Sequence, residues 1–140
     1  MPRPLTLEVV FSAPTPPAES TQRPPAVAGR VLRVEHGKRV GSGQCVALAR
    51  SYGFAISGNA RQWPENAKKA GYRVDTVPEV GAALVTSESS AGTDTGHVAI
   101  IEDIKDGYLY LVEQNYVRLT ISRGRIPIGS KIIVSVIHKS

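Results

Sequence analysis

The sequence predicts an α+β domain, and three observations carry that expectation. Helix-like patterns come first, near residues 45–52 and 59–71, and strand-like segments come later, over 97–104, 108–115 and 131–138. Nothing alternates strand with helix as a parallel βαβ sheet requires, so the strands should form an antiparallel sheet.

The elements follow in order. Seven of the ten prolines lie within the first 25 residues, and 12–29 has the composition of an extended linker that cannot build a core. Residues 1–29 are therefore expected to be a tail and 30–140 the folded domain; Leu5 to Phe11 alternates well enough to dock as a strand. That run is interrupted by Glu8 and is too short for an export signal, so no signal peptide is expected. Val31 to Val34 reads as a short strand followed by the turn His36-Gly37-Lys38.

Gly41-Ser42-Gly43-Gln44 is a turn of small residues leading into a helix from Cys45, with Ser42 or Gly43 as its cap. Gly53 to Gly58 is a loop. Ala60, Trp63, Ala67 and Ala70 share one face of a helix that Pro64 splits and Gly71 ends. Ala82 to Thr86 is a buried strand by composition. Strands at His97 to Ile104 and Tyr108 to Asn115, a variable stretch near Leu119 to Ile121, and Lys131 to His138 complete the pattern.

A net charge of +5 suits an anionic partner. No segment has the unbroken apolar length of a membrane span, and no membrane insertion is expected. A single cysteine excludes an internal disulfide and leaves the thiol spare for chemistry.

That cysteine falls in the first turn of its helix, where backbone N–H groups favour a thiolate. A nucleophilic thiol needs a base, and the base needs a group to hold it. His36 sits in a charged loop and His138 near the C-terminus, whereas His97 opens an apolar strand after Gly96. On the next strand Glu113 and Asn115 share a face. A three-residue loop, Lys105-Asp106-Gly107, would set Ala99 opposite Glu113 and His97 opposite Asn115, whereas a two-residue turn would send both polar residues to the other face. Either Glu113 or Asn115 could accept from one imidazole nitrogen while the other faces Cys45; Asn115 alternatively just finishes the strand. The Cys45 N–H and a donor from Gln44 could bind an oxyanion, with Gln44 equally readable as a cap.

Gly43-Gln44-Cys45, Gly58-Asn59-Ala60 with Trp63, Pro78 and Gly81, Gly96-His97-Val98-Ala99-Ile100-Ile101-Glu102, and Glu113-Gln114-Asn115 together resemble the CHAP domain, the cysteine- and histidine-dependent amidohydrolase/peptidases. The resemblance covers about residues 41–138. It implies a papain-like α+β fold with the nucleophile helix packed on an antiparallel sheet, and cleavage of amide bonds in the peptide part of peptidoglycan. It implies Cys45 as nucleophile, His97 as base, Glu113 as orienting acid and Asn115 as accessory. It also tips Trp63, which could otherwise be core or the lip of a groove, towards a mixed role lining a substrate groove beside Tyr116. Some relatives carry an Asp-rich calcium loop before the cysteine; here Arg33 to Arg39 lacks clustered carboxylates, so no calcium, other metal or cofactor is expected.

The expected protein is thus a monomeric, phage-type peptidoglycan hydrolase working through a thioester on Cys45, made in the cytoplasm and acting on the wall after release. No nucleic-acid partner is expected. Two rivals remain at this level: a basic binding module without turnover, and an amidase on a peptide conjugate outside the wall.

Overall fold

The computed structural model describes residues 30–88 and 96–139, so the expected tail at 1–29, with its docking strand, lies outside the described residues. Within them the chain runs β1 (Val31–Glu35), α1 (Cys45–Ser51), a 3-10 turn (Ala60–Gln62), α2 (Trp63–Lys69), β2 (Arg73–Asp75), β3 (Ala83–Thr86), β4 (His97–Lys105), β5 (Tyr108–Val117), β6 (Thr120–Pro127) and β7 (Ile133–His138). The strands form one antiparallel sheet in the order β1-β6-β5-β4-β3-β7-β2. This is the α+β arrangement that the chain order predicts.

The split helix has a clear local cause. Asn59 and Gln62 form a reciprocal capping box on the 3-10 turn, and Pro64 stands in the first turn of α2, where its missing N–H costs nothing. Pro64 is thus the second residue of α2 and does not break it. Both helices pack on one face of the sheet, where Leu48, Ala49, Ala60, Trp63 and Ala67 bury against Val85, Val98, Ile100 and Val112. The alternate residues Leu84, Ala99, Ile101, Leu111, Ile126 and Val136 form a second apolar cluster, as the two-residue period of a strand demands.

The β4–β5 hairpin differs from expectation in an instructive way. Asp106 and Gly107 both have positive φ and make a two-residue turn, pairing Lys105 with Tyr108. Yet Ala99 still faces Glu113, because Glu102 bulges out between Ile101 and Asp103 and shifts the register by one. Residues 100–112 lie between Ala99 and Glu113, an odd number. Cross-strand pairs consume residues in twos, so the leftover must be odd: a three-residue loop, or two turn residues plus one bulge. The chain uses the second solution.

Two strands were shortened or missed by sequence reasoning. β2 is only three residues long, and β6 runs well beyond the expected Leu119 to Ile121 stretch. The apolar alternation of β6 is interrupted by Arg123-Gly124-Arg125, and the glycine is required by packing. Leu32 of β1 pairs with Gly124, and a Cβ there would lie 1.8 Å from the Val31 carbonyl oxygen. At the opposite sheet edge His138 is buried, with its two ring nitrogens on the carboxylates of Asp75 and Glu79, tying β7 to β2 and its following loop.

Candidate active site

Cys45 is the first residue of α1, 4% exposed, and Gln44 is the N-cap, in place of the expected Ser42 or Gly43. The approach to the helix is fixed by glycine and by a buried amide. Gly43 has φ 86°, and a Cβ there would come within 2.9 Å of both Arg39 and Leu119 side chains. Gln114, fully buried on β5, accepts from the Val40 N–H at 2.7 Å and donates to the carbonyls of Val40 and Gln44 at 3.0 and 2.9 Å. The loop delivering the thiol is thus pinned to the sheet at both ends.

His97 opens β4 and is wholly buried. Its Nε2 lies 2.8 Å from Glu113 Oε1, and its side chain is hydrogen bonded to Cys45. With Nε2 on the carboxylate, Nδ1 is the nitrogen left for the thiol. Tyr116 packs edge-on against the imidazole, with ring centroids 5.6 Å apart.

The electrostatics follow from the contacts. Burial alone would push the Glu113 carboxyl up, but the charge of Arg30 and the hydrogen bond and charge of His97 more than offset it and hold it at about 2. Burial would likewise lower His97, but hydrogen bonds to Cys45 and Glu113, with the Glu113 charge, raise it to about 9. A cationic imidazole between a carboxylate and a thiol favours the thiolate.

These shifts make folding stability depend on pH. A raised imidazole contributes stability that is fully present below its ordinary value of 6.5 and is lost as pH rises through about 9. A depressed carboxyl contributes stability that is present above its ordinary 4.5 and is lost as pH falls through about 2. The transition temperature should therefore be highest between about 4.5 and 6.5 and decline towards 9. Thermal melts across that range should show the alkaline decline weakened in His97→Gln; an equal slope in both proteins would contradict the assignment.

Beside Cys45 lies a groove of about 320 Å³ lined by Gln44, Cys45, Val46, Arg50, Gly58, Asn59 and Ala60. Arg50 shapes its wall by donating to the carbonyls of Ile56 and Gly58 at 2.8 and 3.1 Å.

Three expected residues sit elsewhere than their proposed tasks require. Trp63 is 0% exposed, with its indole N–H on the Gly58 carbonyl, so it is core beneath the groove wall and lines no groove. Its small neighbours, Ala60 and Ala67, leave the room for it. Tyr116 is buried against His97 and under the Arg30 guanidinium, 4.0 Å from its ring centre, and does not stand beside a groove-lining Trp63. Asn115 has φ 68°, which takes it out of the strand's alternation and away from the face of Glu113. It donates to Gln44 Oε1 at 3.2 Å and accepts from Leu119 N–H at 2.7 Å; the imidazole is not its partner. Because Asn115 engages the oxygen of Gln44, the exposed Gln44 amide nitrogen remains as a donor at the mouth of the site.

Arg30, Glu88 and Gln114 escaped sequence reasoning. Arg30 donates to Glu113 Oε1 at 2.8 Å and to Glu88 Oε1 at 3.2 Å, and Thr86 donates to the same Glu88 oxygen. Only Gln114 left a signal, a polar residue at a strand position whose alternation faces the helix. Among the described residues no group of three or more His, Cys, Asp or Glu side chains is arranged to hold a metal ion. No helix among them is long and apolar enough to cross a membrane.

Comparison with known proteins bears on the fold and the family. The chain is 38% identical over 79 residues to a probable autolysin LDP of Staphylococcus aureus (strain NCTC 8325 / PS 47), covering 56% of this chain and 26% of that protein. It therefore spans about a quarter of that relative's length. A crystal structure of an N-acetylmuramoyl-L-alanine amidase from Staphylococcus aureus superposes with a TM-score of 0.54 at 28% identity, over 68% of this chain and 30% of that one. The structure of Ly7917 with the hydrolyzing product of MDP shares the fold, with a TM-score of 0.57 at 23% identity over 71% of this chain and 54% of that one. The sequence profile of the CHAP domain matches residues 35–115, more than half of the chain, and the chain accordingly belongs to the CHAP domain family.

Proposed function

We propose that this chain is a peptidoglycan hydrolase that cuts an amide or peptide bond through a thioester on Cys45. The observation that carries the proposal is the buried chain Cys45–His97–Glu113 beside an open groove. Membership of the family and the likeness to an autolysin and an amidase support the substrate class.

The steps use the chain's own groups. The Cys45 thiolate attacks the substrate carbonyl carbon, and the oxygen takes the negative charge near the Cys45 N–H and the Gln44 amide. His97, protonated, gives its proton to the leaving amine as the C–N bond breaks, leaving an acyl thioester. A water then loses its proton to His97 and attacks the thioester, releasing a carboxylic acid and restoring the thiolate–imidazolium pair. Glu113 keeps the imidazole oriented throughout, and Asn115 serves as an accessory that orients Gln44.

A phage-type lysin that reaches the wall after release is the setting we propose, its basic surface holding it to an anionic polymer. Digests of purified sacculi, analysed by mass spectrometry, should contain muropeptides cut at one amide or peptide bond type. If wild-type and Cys45→Ala digests contain the same fragments, the proposed activity is wrong.

A further inference from the structure

We propose that Arg30 is a positioning residue of this site, acting through Glu113 to fix the proton on the correct nitrogen of His97. It rests on the Cys–His–Glu reading given above and assigns a role to a residue five positions before the segment matched to the family.

Arg30 precedes β1, yet its side chain is 5% exposed and meets Glu113 from across 83 residues of sequence. Its Nη2 and the His97 Nε2 share one oxygen, Glu113 Oε1, each at 2.8 Å. The other oxygen, Oε2, is buried with no hydrogen-bond partner among the described residues. Among the described residues the charge of Glu113 is thus balanced by Arg30 and His97. Around the guanidinium stand Glu88 after β3 and Glu113 and Tyr116 of β5; on the far side of Glu113 stand His97 of β4 and, beyond it, Cys45 of α1.

The consequence lies in the tautomer. An ionised Glu113 only accepts, so Nε2 must carry a hydrogen, and Nδ1 is left to take the Cys45 proton and hold it as Nδ1–H beside the thiolate. A buried carboxylate stripped of Arg30 would take up a proton to escape an unbalanced charge. Protonated Glu113 can donate to Nε2, which moves the imidazole hydrogen to Nδ1 and blocks it from accepting the Cys45 proton. Arg30 prevents that exchange, and its stacking on Tyr116 and second contact with Glu88 hold the fork in place.

The single cysteine makes the test direct, because alkylation by iodoacetamide reads only the Cys45 thiolate. At a pH well below the midpoint of the wild-type alkylation profile, Arg30→Met should alkylate about tenfold more slowly than wild type, the effect of about one unit in thiol pKa. In a Glu113→Gln background the same substitution should cause no further slowing, since the group Arg30 acts through is gone. Should Arg30→Met lack a cooperative thermal transition, Arg30→Lys carries the same cycle, with a slowing of about threefold expected because the charge stays and the fork is lost. An unchanged rate, or equal slowing in both backgrounds, would overturn the role. Alkylation needs no substrate, so a Cys45→Ala protein that still cut sacculi would refute the proposed chemistry without deciding this cycle.

Discussion

Cys45→Ala is expected to slow the release of soluble fragments from purified sacculi by about a thousandfold or more, with the fold retained. The side chain is small and buried, so removing its sulfur leaves only a minor void, while the proposed reaction loses the atom that attacks. His97→Ala should fall within about tenfold of the same rate, and the double variant should be no slower than Cys45→Ala alone, because residues acting as one unit fail together. Initial rates with circular dichroism melts separate lost chemistry from lost structure. Additive losses in the double variant would mean that Cys45 and His97 act independently, contrary to their hydrogen bond.

The largest expected effect on stability comes from a residue without a side chain. Gly124→Ala places a Cβ 1.8 Å from the Val31 carbonyl oxygen and 2.8 Å from its carbon, distances no packing adjustment of a side chain can relieve. β1 must move away from β6 or the pairing must break, and a loss of about 3 kcal/mol or more is expected. Because β1 follows directly from Arg30, the displacement should also slow the reaction at the distant thiol. Urea unfolding gives the first quantity from the midpoint and alkylation gives the second. A Gly124→Ala protein with a wild-type midpoint would show that β1 does not pack against β6 through Gly124.

The parts of the site that sequence reasoning reached are those governed by local rules. Cys45 follows a glycine turn into a helix, His97 follows Gly96 into an apolar strand, and Glu113 sits two residues from the end of an alternating run; each position follows from neighbours in the chain. The parts it missed depend on distant partners or on backbone geometry. Arg30 stands at the edge of a proline-rich stretch, and nothing nearby announces an ion pair with a strand 83 residues away. Asn115 leaves the alternation because its φ is positive, which a period-two pattern cannot anticipate. Trp63 is readable from its neighbours as core or as a groove lip, and the resemblance favours a mixed role; the structure puts Pro64 in the first turn of α2 and the indole wholly in the core. The variable stretch expected near Leu119 to Ile121 belongs to the longer β6, whose alternation is interrupted by the glycine that lets β1 approach it.

The odd spacing between Ala99 and Glu113 also bears on how this hairpin can vary among relatives. A single inserted or deleted residue between them changes the parity, and unless a bulge is gained or lost at the same time the carboxylate turns to the opposite side of the sheet from the imidazole. Length changes in this hairpin should therefore come in twos, or as a one-residue change offset by one at the position of Glu102. Its tip is free to drift in length and composition only in steps that leave that parity untouched, so an alignment of relatives should show odd hairpin lengths that differ by twos between a fixed pair of columns.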